Sequence, residues 1–134
     1  MKRVMMMAVV AVSGAALAGG FELKGDAAKG AEKYKMLCVS CHGEKGDGNG
    51  PAGAALTPKP TNFTDPANAD RLTDEYTYKV IKDGGAANGK SPLMVAWGAA
   101  MKDDELRNVA AYVQSLKPAK AAAPAKETKD AKKK

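Results

Sequence analysis

Histidine and cysteine are almost missing from this chain: its 134 residues include one histidine and two cysteines. A structural zinc site takes four ligands, mostly from those two residue types, and three such residues leave it one short. Aromatic residues make up only 5% of the sequence, so a large aromatic core is excluded. Alternating apolar and polar runs of the kind that mark strands are scarce, which argues against a β-rich fold. No internal repeat occurs. No apolar run is long enough to cross a bilayer comfortably: Val4 to Ala18 is uncharged and mostly apolar, but a spanning helix needs about 20 residues.

The scarce residues fall in one place. Both cysteines and the histidine form Cys38-Val39-Ser40-Cys41-His42. Two cysteines separated by two residues and followed at once by histidine are the attachment signature of a c-type haem. One tight turn presents two thiols to the two vinyl groups of a porphyrin edge. The next side chain then swings beneath the ring, where its imidazole reaches iron. A bare Cys-x-x-Cys also occurs in dithiol oxidoreductases and in zinc sites. The first would need strands rich in Val, Ile and Phe around the motif, and the surroundings here are Ala, Gly and Lys. The second lacks its fourth ligand. With no second histidine, bis-histidine ligation from within this chain is excluded, and methionine is the obvious remaining donor.

Targeting and composition divide the chain into three. Lys2 and Arg3 precede the apolar run, which ends in Ala16-Leu17-Ala18, a small-x-small cleavage pattern. Residues 1–18 are therefore expected to be a signal peptide that exports the protein to the periplasm. No cysteine stands directly after the cleavage site, so a lipid anchor is not expected, and the short apolar run argues against stable membrane insertion. Residues 19–116 carry 12 Lys/Arg against 13 Asp/Glu, a net charge of −1. Residues 117–134 carry 7 Lys against Glu127 and Asp130, a net charge of +5. The overall charge of +6 thus describes a tail and a signal, not the folded part. The tail has no Val, Ile, Leu or aromatic residue and cannot offset its ordering entropy by burial. It is read as disordered, either a solubilising terminus or a basic arm for an acidic partner or an anionic surface. Nothing in the folded part suggests nucleic-acid binding.

Three helices follow from pattern, giving an all-α fold. The first is expected over Ala27–Leu37, capped by Asp26, with Ala27, Gly30, Ala31, Tyr34 and Leu37 on one face. The second is expected over Asp74–Lys82, capped by Thr73, with Asp74 and Glu75 at the positive end of its dipole. Asp83-Gly84-Gly85 should stop it. The third is expected over Asp103–Leu116, opened by acidic residues and closed before Pro118. Loops rich in Gly and Pro, 43–60 and 84–92, join them. Large apolar side chains are few, and domains of about 100 residues are marginal without help. A covalently held haem would supply a rigid apolar body for the helices to pack on.

After residue 18 the methionines are Met36, Met94 and Met101. Met36 lies two residues before Cys38 and is tethered on the attachment side. Met101 precedes a charged helix start, where it can staple onto Leu106, with Glu105 as the box partner and Lys102 at the cap. Met94 lies in a loop after Pro92, ahead of Trp97-Gly98.

Taken together, these segments resemble the class I c-type cytochromes of the bacterial periplasm. The matching runs are GDAAKG at 25–30 with Tyr34, CVSCHG at 38–43, GDGNGP at 46–51, LTDEYTYKVIKDGG at 72–85, MVAWG at 94–98 and MKDDELRNVAAYVQSL at 101–116. The resemblance implies a small cytochrome c fold around one haem c, bound covalently through Cys38 and Cys41. It implies that His42 ligates iron through Nε2 and that the Pro51 carbonyl accepts a bond from the other imidazole nitrogen. It implies Met94 as the second ligand, with Met101 or an open position as the alternatives. It also implies that Gly30 and Tyr34 cross the last helix near Val109 and Tyr112, and that Trp97 packs on the haem edge. The family's usual Met-Pro-x-aromatic-Gly run appears here with Val95 in place of proline.

The expected function is that of a soluble, monomeric, monohaem electron carrier, not an enzyme. A His/Met iron has no vacant position for substrate. Its partners would be donor and acceptor redox proteins of the periplasm. The alternatives are a haem subunit of a larger redox complex and, should Met94 not ligate iron, a peroxidase-like or sensor-like haem protein.

Overall fold

The computed structural model describes residues 20–119. The expected signal peptide, and the tail beyond Ala119, lie outside the described residues. The chain forms α1 (Ala27–Leu37), α2 (Val39–His42), a 3-10 turn (Gly53–Ala55), α3 (Pro66–Ala69), α4 (Asp74–Ala87) and α5 (Asp103–Ser115). No strand occurs among the described residues, so the all-α fold is as expected.

Each long helix starts where a side chain satisfies its free N–H groups. Asp26 accepts from Ala28 N and Lys29 N at 2.9 and 3.2 Å. Thr73 Oγ1 accepts from Tyr76 N at 3.1 Å. Glu105 closes α5 by accepting from Lys102 N at 3.0 Å. α1 and α5 cross at Gly30, where a Cβ would overlap the Asn108 carbonyl and meet Tyr112 Cβ. Only glycine allows that approach. Tyr34 then stacks edge-on against Tyr112, with ring centroids 5.0 Å apart.

The buried side chains form two groups on either side of this crossing. One holds Tyr78, Ile81, Met101, Leu106, Val109 and Ala110, with Leu23, Met94 and Trp97 packed against it. The other holds Tyr34, Phe63, Leu72 and Val113. Cys38 touches both.

Two boundaries differ from the sequence reading. α4 runs on to Ala87, but Gly84 breaks it with φ 80° and ψ 172°, so the expected stop survives as a kink. Lys117, assigned to the tail, belongs to the fold: its Nζ donates to Leu72 O at 2.7 Å and to Gln114 Oε1 at 2.9 Å.

Candidate haem site

The attachment turn is built by α1 ending into α2. Cys38 N still donates to Tyr34 O at 2.9 Å, and His42 N donates to Cys38 O at 2.9 Å. One helical turn therefore carries both thiols and the imidazole. Tyr34 Oη donates to Gly43 O at 2.9 Å, a buried bond that ties α1 to the exit of the turn. Burial, with Cys38, Tyr112 and Asp47 adding, raises the Tyr34 pKa, so the phenol keeps its proton and stays a donor.

Cys38, Cys41 and His42 open onto one cavity of about 770 Å³. That is within the range of pockets that enclose a sizeable ligand, roughly 300–1,000 Å³. Met94, Trp97, Ile81, Leu72 and Phe63 also line it. The two cysteines are free thiols, half-buried. Burial, with Cys41 adding, pushes the Cys38 thiol up to about 11. The His42 ring stacks on Phe63 at 4.8 Å and 17°. Burial lowers the His42 pKa, and the Thr61 backbone offsets this in part, so the imidazole is the neutral base that iron ligation requires. Its Nδ1 is buried without a hydrogen-bond partner. Pro51 is exposed in the turn after Gly50, and no hydrogen bond joins its carbonyl to that nitrogen.

The methionines separate clearly. Met36 is 68% exposed and Met101 is buried at 8%. Neither lines the cavity, whereas Met94 does. The kink at Gly84 fixes the Met94 loop by releasing backbone groups from α4. Gly85 N, turned out of the helix, donates to Met94 O at 2.7 Å. Ile81 O and Lys82 O accept from Trp97 N and Gly98 N at 3.0 and 2.9 Å. These three bonds hold the loop although Val95 stands where the resemblance expects proline.

The donors fit a haem: two free thiols on one turn, a neutral imidazole, a thioether sulfur and an apolar wall around a shared cavity. Phe63 went unrecognised in the sequence as a site residue. It lies in a loop without periodicity, and the one local signal is an Asn62 turn, with Thr64 N donating to Asn62 Oδ1 at 2.9 Å.

The family model for cytochrome c matches residues 27–117. This chain belongs to the cytochrome c family. A curated relative, cytochrome c-554(548) of Halomonas halodenitrificans, is 31% identical over 91 residues, covering 68% of this cytochrome and 96% of the relative. Cytochrome c-554(547) of Halothiobacillus neapolitanus is 33% identical over 95 residues, covering 69% and 99%. FixP of Azorhizobium caulinodans, a cbb3-type cytochrome c oxidase subunit, is 31% identical over 93 residues, but this cytochrome spans only 27% of it. A chain in the reducing HAO-like protein complex of Kuenenia stuttgartiensis has the same fold, with a TM-score of 0.53 and 27% identity over 66% of this cytochrome and 41% of that chain. Membership makes this cytochrome an electron-transfer haem protein of class I, and it implies covalent haem c. Among the described residues, no helix is long and apolar enough to cross a membrane.

Proposed function

We propose that this cytochrome is a soluble periplasmic carrier of single electrons, with one haem c held by Cys38 and Cys41 and ligated by His42 and Met94. The observation that carries the reading is the shared cavity, which brings Cys38, Cys41, His42 and Met94 together and leaves out Met36 and Met101. When bound, the haem supplies an iron that gains or loses one electron.

The chain's own residues fix how easily that happens. His42 is a neutral nitrogen donor whose ring plane is set by Phe63. Met94 offers a thioether sulfur, which raises the potential relative to a bis-imidazole site. Leu72, Ile81, Phe63 and Trp97 line the cavity and would keep water from the iron, and a dry pocket disfavours the extra charge of the ferric state. His42 and Met94 together would hold the iron and leave no position for a substrate. The chain has a single Cys-x-x-Cys-His run, which supports one haem. Encounters with donor and acceptor proteins would use a small patch near the thioethers, in the size range of weak electron-transfer contacts.

The test is an absorption spectrum of ferric and ferrous holoprotein, with intact mass and a redox titration. One haem in the mass, a weak red band of sulfur–iron charge transfer and a one-electron titration curve are expected. Rapid peroxide turnover without that band would move the reading to a haem enzyme. A second reading, a haem subunit of a larger assembly, is supported by the match to part of FixP. The native size of the protein in its host separates the two.

A further inference from the structure

The Met94 loop runs from the end of α4 to the start of α5, and a side-chain bond joins these two helices beneath it. Tyr78 Oη donates to Asp103 Oδ1 across 25 residues of sequence. Tyr78 sits one turn before Ile81 and Lys82, whose carbonyls hold Trp97 and Gly98. Asp103 follows Lys102 directly. The bond therefore closes the base of the segment that carries Met94.

Several groups support it. Arg107 Nε donates to Asp103 Oδ2 at 2.6 Å. The same guanidinium lies 5.1 Å from the Tyr78 ring centroid and 5.4 Å from that of Phe21. Lys82 Nζ lies 5.6 Å from the Tyr78 ring. Phe21 covers Tyr78 with centroids 5.3 Å apart, and Arg107 Nη1 donates to Glu22 O at 3.2 Å. Tyr78 itself is only 7% exposed, in the buried group against which Met94 and Trp97 pack. The protonation states agree with the geometry: Tyr78 and Arg107 lower the Asp103 pKa, while the bond to Asp103 raises that of Tyr78. The tyrosine stays the donor and the aspartate the acceptor.

We propose that Tyr78 and Asp103, steadied by Arg107 and roofed by Phe21, are positioning residues that lock the Met94 loop shut and so hold the sulfur on the iron. This rests on the reading of Met94 as a ligand. The lock acts on the loop's opening equilibrium. A network of neighbouring groups is also expected to couple, so its members should fail together and not additively.

The experiment uses ferric holoprotein and cyanide, which enters when Met94 leaves. Tyr78→Phe should keep the sulfur–iron band but bind cyanide at least about tenfold faster, the low end of the factor expected for loss of one hydrogen bond to a charged group. Asp103→Asn should also speed binding, and the double variant should gain much less than the product of the two. Gln114→Ala is the control. It cuts the bonds from Gln114 to Thr77 Oγ1, Leu72 O and Thr73 O, which join α5 to the first turn of α4 and the residues just before it, at the end far from the loop. It should lower the melting temperature without a matching rise in cyanide binding. Wild-type rates in Tyr78→Phe, or an equal acceleration in Gln114→Ala, would overturn the lock. Absence of the sulfur–iron band in wild type would instead overturn the ligand reading, and the lock with it.

Discussion

Met94 and Met101 have the same chemistry and stand seven residues apart, yet their surroundings differ. Met94 lines the cavity that His42 enters, while Met101 is packed among Tyr78, Ile81 and Leu106. Met94→Ala should therefore abolish the red charge-transfer band, lower the reduction potential and open iron to cyanide. Met101→Ala should keep the band and lower stability by about 2–5 kcal/mol, the usual loss for truncating a buried methionine. Absorption spectra and thermal melts of the two variants check this, and a reversed pattern would exchange their roles. The turn that brings Cys38, Cys41 and His42 to one cavity was legible in the sequence because one short run fixes their spacing. Sequence pattern does not choose between the methionines, since a loop has no periodicity to say which way a side chain faces; the resemblance to a family supplies the expectation of Met94. Phe63 was invisible for the same reason.

Elements were legible in proportion to their length and caps. α1, the first turns of α4 and α5 begin at the expected residues because Asp26, Thr73 and an acidic run mark them. α2 and α3, at four residues each, are too short for any period to show. Lys117 reads as polar tail by composition, but its ammonium finds two acceptors in the fold. Gly84 was read as a stop, and its larger role lies in what the kink releases. Its φ and ψ fall in a region that is essentially glycine's alone. A Cβ there would sit 2.9 Å from Ala96 N and 3.0 Å from Met94 O. Gly84→Ala should thus cost about 1–3 kcal/mol from the backbone conformation and displace the Met94 loop as well. The paired readout is a lower melting temperature together with a weakened sulfur–iron band. Gly30→Ala provides the contrast. It strikes the Asn108 carbonyl at the α1–α5 crossing, so overpacking should destabilise the fold, by roughly 1–3 kcal/mol or more. The band should survive in whatever holoprotein assembles, as measured by spectra at matched haem content.

At the scale of the whole molecule, charge and core are separate matters. Residues 120–134 carry 6 Lys against Glu127 and Asp130 and add no large apolar side chain. Removing them should leave the spectrum and the melt unchanged. Association with an acidic redox partner should slow at low salt and lose its salt dependence, because exposed charges are screened over about 8–10 Å under physiological conditions. Equal rates with and without the segment would leave it a solubility element. The core is the harder constraint. Two small buried groups face a cavity of about 770 Å³. A haem in this space would give the wall residues an apolar body to pack on, and a small domain with only about 5–15 kcal/mol of stability in total depends on such help. Protein with Cys38 and Cys41 both replaced by alanine, made without haem attachment, should show low helicity by circular dichroism and no cooperative melt. Holoprotein should melt in one sharp transition. A well-folded apoprotein of near-native helicity would mean that the α1–α5 crossing, with Tyr34, Val109 and Val113, holds far more of the stability than the haem-facing wall.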